Sequence, residues 1–163
     1  MPLDILKWPD PVLSQVCAPV ALFDAGLKAL IDDMFATMYA APGRGLAAPQ
    51  VGRALRLFVM DVTWKEGTPS PFAFVNPQIL WASDDLGTAD EQCLSIPDVP
   101  MPVERPQTVR MRWQGHDGAW QEQELSGMAA RCAQHELDHL DGIVIFDRVA
   151  PDLRAGLEAG YLA

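Results

Sequence analysis

His135 and His139 stand four residues apart, and Glu136 directly follows the first of them. Residues spaced this way on a helix share one face, so both imidazoles can reach a single metal ion. Glu136 then sits where a carboxylate can take a proton from water activated by that ion. The competing reading is a surface helix carrying two histidines on a charged face. Two features weigh against it. The chain has only three histidines, and two are spent in this motif. The stretch ahead of it, Met128-Ala129-Ala130 and then Cys132-Ala133, is apolar or small, so the helix reads as buried. Buried imidazoles need partners, and a metal is one.

A catalytic site needs a third protein ligand and an open position for water. A carboxylate further along the helix or a thiolate from elsewhere could supply it. The cysteines are Cys17, Cys93 and Cys132. An odd, sparse set is no disulfide framework and suits a reducing compartment. Cys93 lies in Glu91-Gln92-Cys93-Leu94-Ser95, between expected strands. Taken alone, a single cysteine is ordinarily a small buried hydrophobe. Cys132, three residues before His135, reads as pocket lining, and Cys17 as packing. His116 falls in an expected turn and is a weak competitor.

The elements that must position these groups can be read from pattern. Fourteen prolines and twelve glycines punctuate the chain. Residues 1–23 read as extended, with a short helical turn at Val12-Leu13. Asp24 should cap a first helix whose apolar face is Leu27, Leu30, Ile31, Met34, Phe35 and Met38, ended by Pro42-Gly43. Strands are expected over 55–62, over 72–75 and 78–81 with a break at Asn76-Pro77, and over 108–113, where Val109, Met111 and Trp113 share one face. Residues 115–118 form a turn, and 119–125 return antiparallel. Ser126 should cap the helix of the His-Glu motif, roughly 127–140, ending near Gly142. A short strand over 143–146 and a helix from Pro151 complete the reading. The class is α+β, with short antiparallel strands around a central helix, and residues 1–163 read as one domain.

Three segments together resemble peptide deformylases. Gly43-Arg44-Gly45-Leu46-Ala47-Ala48-Pro49-Gln50 is similar to the family's G-x-G-L-A-A-x-Q. Glu91-Gln92-Cys93-Leu94-Ser95 is similar to E-G-C-L-S, and Gln134-His135-Glu136-Leu137-Asp138-His139-Leu140-Asp141-Gly142 to Q-H-E-x-D-H-L-x-G. Order and separation fit across roughly residues 3–150. The resemblance implies that Cys93, His135 and His139 bind one divalent metal ion, usually Fe²⁺, with Zn²⁺, Ni²⁺ or Co²⁺ able to occupy the site. It implies that Glu136 moves protons, and that Gln50 and the backbone N–H of Leu94 stabilise the oxyanion. The implied reaction removes the formyl group from an N-formylated peptide or nascent protein N-terminus and releases formate. The Gly43-Arg44-Gly45 turn, Gln92, Arg131 and Cys132 would border the substrate.

Gln92 stands where the family has glycine, and Arg44 and Arg131 where it has aliphatic residues. In the family those two positions border the methionine pocket. A guanidinium there is costly unless paired. Either the arginines turn away, or the substrate offers an acidic or polar group. Pro100 falls where the family often has arginine. An inactive metal- or peptide-binding relative is the alternative function, and a generic zinc metallopeptidase a third.

Composition fits these readings. Apolar residues make up 49% and charged residues 21%, as in ordinary soluble proteins. A formal charge of −10 disfavours sequence-independent binding to nucleic acid. No run is long and apolar enough for a membrane span, and the start lacks a secretion signal, so the expected compartment is the cytoplasm. The short C-terminal segment has no long basic helix, which leaves ribosome association open.

Overall fold

The computed structural model describes residues 2–163, and Met1 lies outside them. The first helix, α1 (Ala25–Ala40), begins where Asp24 accepts a hydrogen bond from the Leu27 N–H at 2.9 Å. Its buried stripe of Leu27, Leu30, Ile31, Met34 and Met38 packs on Leu46, Leu57, Val59 and Val75. Those residues belong to β1 (Gly45–Ala47), β2 (Leu57–Met60) and β3 (Phe72–Ala82). With β6 (Thr108–Gln114) and β7 (Trp120–Ser126), they make an antiparallel sheet in the order β1-β2-β3-β6-β7.

The helix α2 (Gly127–Leu140) carries the His-Glu motif. Its Ala130, Ala133 and Leu140 lie in one cluster with Val109, Met111 and Trp113 of β6. Two alanines on that face let the helix approach the sheet closely. Two further strands, β4 (Leu86–Cys93) and β5 (Ile96–Pro106), pair only with each other among the described residues. A third cluster sets Met101 and Val103 of β5 against Leu13, Ile145 and Phe146. The C-terminal helix α3 (Pro151–Leu162) returns Tyr161 to donate to the Trp8 carbonyl at 2.9 Å. Short antiparallel strands around a central helix are therefore what forms. Among the described residues, no helix is long and apolar enough to cross a membrane.

Four sequence expectations need correction. Cys93 is not between strands but is the last residue of β4. Asn76-Pro77 does not break β3. The strand runs through with a shifted register between Val75 and Gln78, while the Asn76 amide bonds both Val20 backbone groups. The apolar run at 143–146 is no strand. Ile145–Arg148 is a 3₁₀ turn that buries Ile145 and Phe146. Ser126 does precede α2, but its hydroxyl lies 3.2 Å from Thr108 Oγ1 rather than capping the helix. Gly142 ends that helical region at φ +75°, where an added Cβ would sit 2.7 Å from the Ser14 carbonyl oxygen, so only glycine fits.

Candidate metal centre

The helix α2 and the end of β4 bring Cys93, His135 and His139 together. One ligand atom from each lies within 4.8 Å of the other two, and all three side chains are buried. Cys93 Sγ is 3.4 Å from His139 Nε2. Ligand atoms bound to one ion at about 2.0–2.3 Å lie about this far apart. A thiolate with two imidazoles is a borderline-soft donor set, suited to Fe²⁺, Zn²⁺, Ni²⁺ or Co²⁺.

The electrostatics ask for a cation. Burial alone would lower the His135 pKa, but Glu136, Cys93 and Glu91 more than offset it and draw a proton onto the ring. Burial pushes His139 well below the usual histidine value, with repulsion from His135 and Arg105 adding to it, so it stays neutral. Neutral imidazole is the form that ligates. The Glu136 carboxyl is pushed up to about 7, chiefly by burial, against the opposing pull of His135. Its Oε1 and the Nδ1 of His139 are buried polar atoms without a hydrogen-bond partner among the described residues. The residues present thus fit a divalent ion on donor type, spacing and charge.

Glu136 points at the same space. Its Oε2 lies 4.0 Å from His135 Nε2. It reaches that position because Gly45 has no side chain. A Cβ on Gly45 would sit 2.7 Å from Glu136 Oε2 and 2.8 Å from Cys132 Sγ. Both atoms end flexible side chains, so Gly45→Ala should fold normally while displacing the carboxylate. We expect about a tenfold loss of turnover with little change in melting temperature, measured side by side.

Gln50 is 1% exposed. Its Oε1 accepts from the Ala47 N–H at 2.9 Å, which turns the amide nitrogen toward Ser95 Oγ at 3.0 Å and Cys93 Sγ at 3.7 Å. The side-chain amide is thereby aimed, donor first, at the cluster of Cys93, His135 and His139. Leu94 follows Cys93 in the turn between β4 and β5. Leu94, Gly43, Arg44, Gly45, Gln92, Arg131 and Cys132 all line one cleft of about 610 Å³ with Glu136 and His135.

The departures resolve differently. Gln92 is exposed on β4 at an ordinary negative φ, so no glycine-only backbone is required. The strand's register shifts around it, between Glu91 and Cys93. Arg44 leans toward the rim, 3.5 Å from Glu66. Arg131 turns into the protein and donates to Glu91, Val103 and Gly87.

Sequence reasoning missed the charged lattice behind Cys93, His135 and His139. Glu91 Oε1 lies 2.9 Å from His135 Nδ1, and Arg105 grips both Glu91 oxygens at 2.6 and 2.9 Å. Arg105 also donates to Asp138, which Arg148 holds from the other side. Glu91 is lowered to about 2: burial alone would raise it, but hydrogen bonds from His135 and Arg105 outweigh that. Trp64 was also missed. Its indole N–H donates to the Gly43 carbonyl at 2.9 Å and steadies the first motif from behind. A carboxylate two residues before Cys93 was the available signal for Glu91; nothing local marked Arg105 or Trp64.

Comparison with known proteins agrees over nearly the whole chain. A family model described as polypeptide deformylase matches residues 2–155. A peptide deformylase of Mesorhizobium japonicum is 49% identical over 149 residues, covering 91% of this chain and 84% of the relative. One from Brucella suis is 51% identical over 150 residues, with the same coverage of 91% and 84%. The crystal structure of a peptide deformylase from Legionella pneumophila superposes with a TM-score of 0.92 at 36% identity, covering 99% of this chain and 94% of that one.

Proposed function

The chain belongs to the polypeptide deformylase family, and on that premise we propose that Cys93, His135 and His139 hold its metal while Glu136, Gln50 and Leu94 carry out the reaction. The reaction is metal-dependent hydrolysis of the N-formyl group from nascent peptides, which releases formate and a free amine. The carrying observation is the convergence of one thiol and two imidazoles within 4.8 Å, at a cleft that also contains Glu136.

When bound, the ion activates water as a nucleophile and polarises the formyl carbonyl. Glu136 takes the proton of the attacking water and delivers it to the leaving amine nitrogen. Buried beside the cluster of Cys93, His135 and His139, the carboxyl is placed to do both. Negative charge grows on the formyl oxygen as the carbonyl carbon becomes tetrahedral. The Gln50 amide and the Leu94 N–H meet it, and losing one such donor costs about 3–4 kcal/mol of barrier. Burial keeps Gln50 from turning toward solvent, so its orientation need not be found at the moment of reaction. We take Fe²⁺ as the native ion, in keeping with the family resemblance and the donor set, and the cytoplasm as the compartment.

The side chain after the formyl group meets Met128, Cys132 and the stem of Arg131. The Arg131 guanidinium is spent on Glu91 and two backbone carbonyls, so it is not free to meet an acidic side chain. Methionine is therefore the expected occupant. The test is formate release from a peptide panel by anaerobically purified protein. Activity should vanish with a strong chelator, return with Fe²⁺, Ni²⁺ or Co²⁺, and favour formyl-Met over formyl-Glu by about tenfold or more. Chelator-resistant turnover would overturn the metal reading. A preference for formyl-Glu would return the two arginines to substrate recognition.

A further inference from the structure

The metal-ligand set is split between two parts of the fold. Cys93 ends a strand of the β4–β5 pair, which has no strand neighbour in the larger sheet, and the histidines ride on α2. Something must hold that pair against the helix. Gln134 reaches the Pro106 carbonyl at 2.9 Å, and Arg105 reaches Asp138 at 2.9 Å, each tying α2 to β5. Arg131 does more. Its NH1 donates to Glu91 Oε2 at 2.6 Å and to the Val103 carbonyl at 2.9 Å, and its NH2 to the Gly87 carbonyl at 2.7 Å. One guanidinium on α2 thus binds β4 at two points and β5 at one.

Its side-chain partner is the residue that orients a ligand. Glu91 Oε1 meets His135 Nδ1 and Arg105 NH2, while Oε2 meets Arg105 Nε and Arg131 NH1. Each carboxylate oxygen therefore has two partners. Removing Arg131 leaves Oε2 with one, and frees the carboxylate to rock about the Arg105 fork. His135 would follow it, because its Nδ1 is held by that carboxylate. The planar fork matters, since its two nitrogens divide three acceptors lying in two strands, whereas an ammonium gathers its donors at one point.

We propose that Arg131 is a positioning residue for the metal site, locking the Cys93 strand to the histidine helix and, through Glu91, fixing the His135 ring. It rests on the reading of Cys93, His135 and His139 as ligands. Partners behind a ligand typically govern about 10–100-fold in metal affinity. The test loads metal-free protein with Co²⁺ and measures the dissociation constant by chelator competition, together with the visible spectrum of the cobalt site. Arg131→Met keeps the apolar stem and removes the fork, and Arg131→Lys keeps the charge alone. Melting curves of the metal-free variants separate folding from binding.

The expected result is Co²⁺ binding weakened about 10–100-fold in Arg131→Met, with an altered thiolate-to-cobalt band, and only partial recovery in Arg131→Lys. Wild-type affinity and an unchanged spectrum in Arg131→Met, with only the melting temperature lowered, would show a mere staple and end the proposal. If Arg131→Met does not fold, Arg131→Lys decides: wild-type Co²⁺ affinity there overturns the need for the fork. A wild-type protein that binds no Co²⁺ would sink the ligand reading itself, and this inference with it.

Discussion

Glu136→Gln will release formate from a formyl-Met peptide about 10²–10⁴ times more slowly than the wild type, yet still take up a divalent ion. The substitution is close to isosteric, so it opens no cavity. It removes the one property the reaction needs at this position, an oxygen that can accept a proton and give it back. Glu136 is 4% exposed, and its Oε1 has no hydrogen-bond partner among the described residues. Stability should change little, since Oε1 has no hydrogen bond to lose among the described residues and the amide that replaces the carboxyl carries no charge to bury. Kinetics with Ni²⁺-loaded protein and metal analysis of the same preparation check the prediction. Turnover within a fewfold of wild type would remove Glu136 from proton transfer. Loss of the ion together with activity would make it a ligand instead.

Two kinds of information in the sequence behaved differently. The periodic elements were legible, because each buries one face against the sheet. Val109, Met111 and Trp113 alternate, and Leu27 to Met38 recur with helical spacing. His135, Glu136 and His139 were legible for a related reason, since a helix turns spacing directly into direction. Cys93 could be joined to them only through the family resemblance. No local pattern says that the end of one strand will meet a helix some forty residues later. The β4–β5 pair was illegible. Pro97, Pro100, Pro102 and Pro106 argue against a strand, because proline removes ladder donors. A pair that joins no third strand leaves one side of each strand free of ladder bonds, and there prolines are tolerated. Alternate residues Met101, Val103 and Arg105 still point inward. Arg105 was hidden by type as much as by place, since a charged side chain between prolines suggests a surface loop. The run at 143–146 misled in the opposite way. It is apolar because it plugs the third core cluster, not because it pairs with anything.

The bond from Arg105 makes Glu91→Ala the other change of large effect. Glu91 and Arg105 are both nearly buried, at 5% and 4% side-chain exposure. Removing the carboxylate leaves Arg105 with Asp138 alone, an acid already held on both oxygens by Arg148. It also strips Arg131 of its charged acceptor and His135 of the group that fixes its ring. Breaking one side of such a buried pair costs about 3–5 kcal/mol, because the surviving charge cannot return to water. The expected outcome in denaturant melts of metal-free protein is a loss of that size, with an unchanged slope if the native state stays compact. The diagnosis lies in the double variant. If the penalty comes from stranded charge, Glu91→Ala combined with Arg105→Met should recover much of the lost stability, since an apolar pair can replace a buried ion pair at little cost. Metal affinity should not recover with it, because His135 still lacks its acceptor, and a weakening of about 10–100-fold should persist in both variants. Recovery of both quantities together would mean that the ring is held by packing alone. Recovery of neither would place the loss in the meeting of α2 with the β4–β5 pair rather than in uncompensated charge.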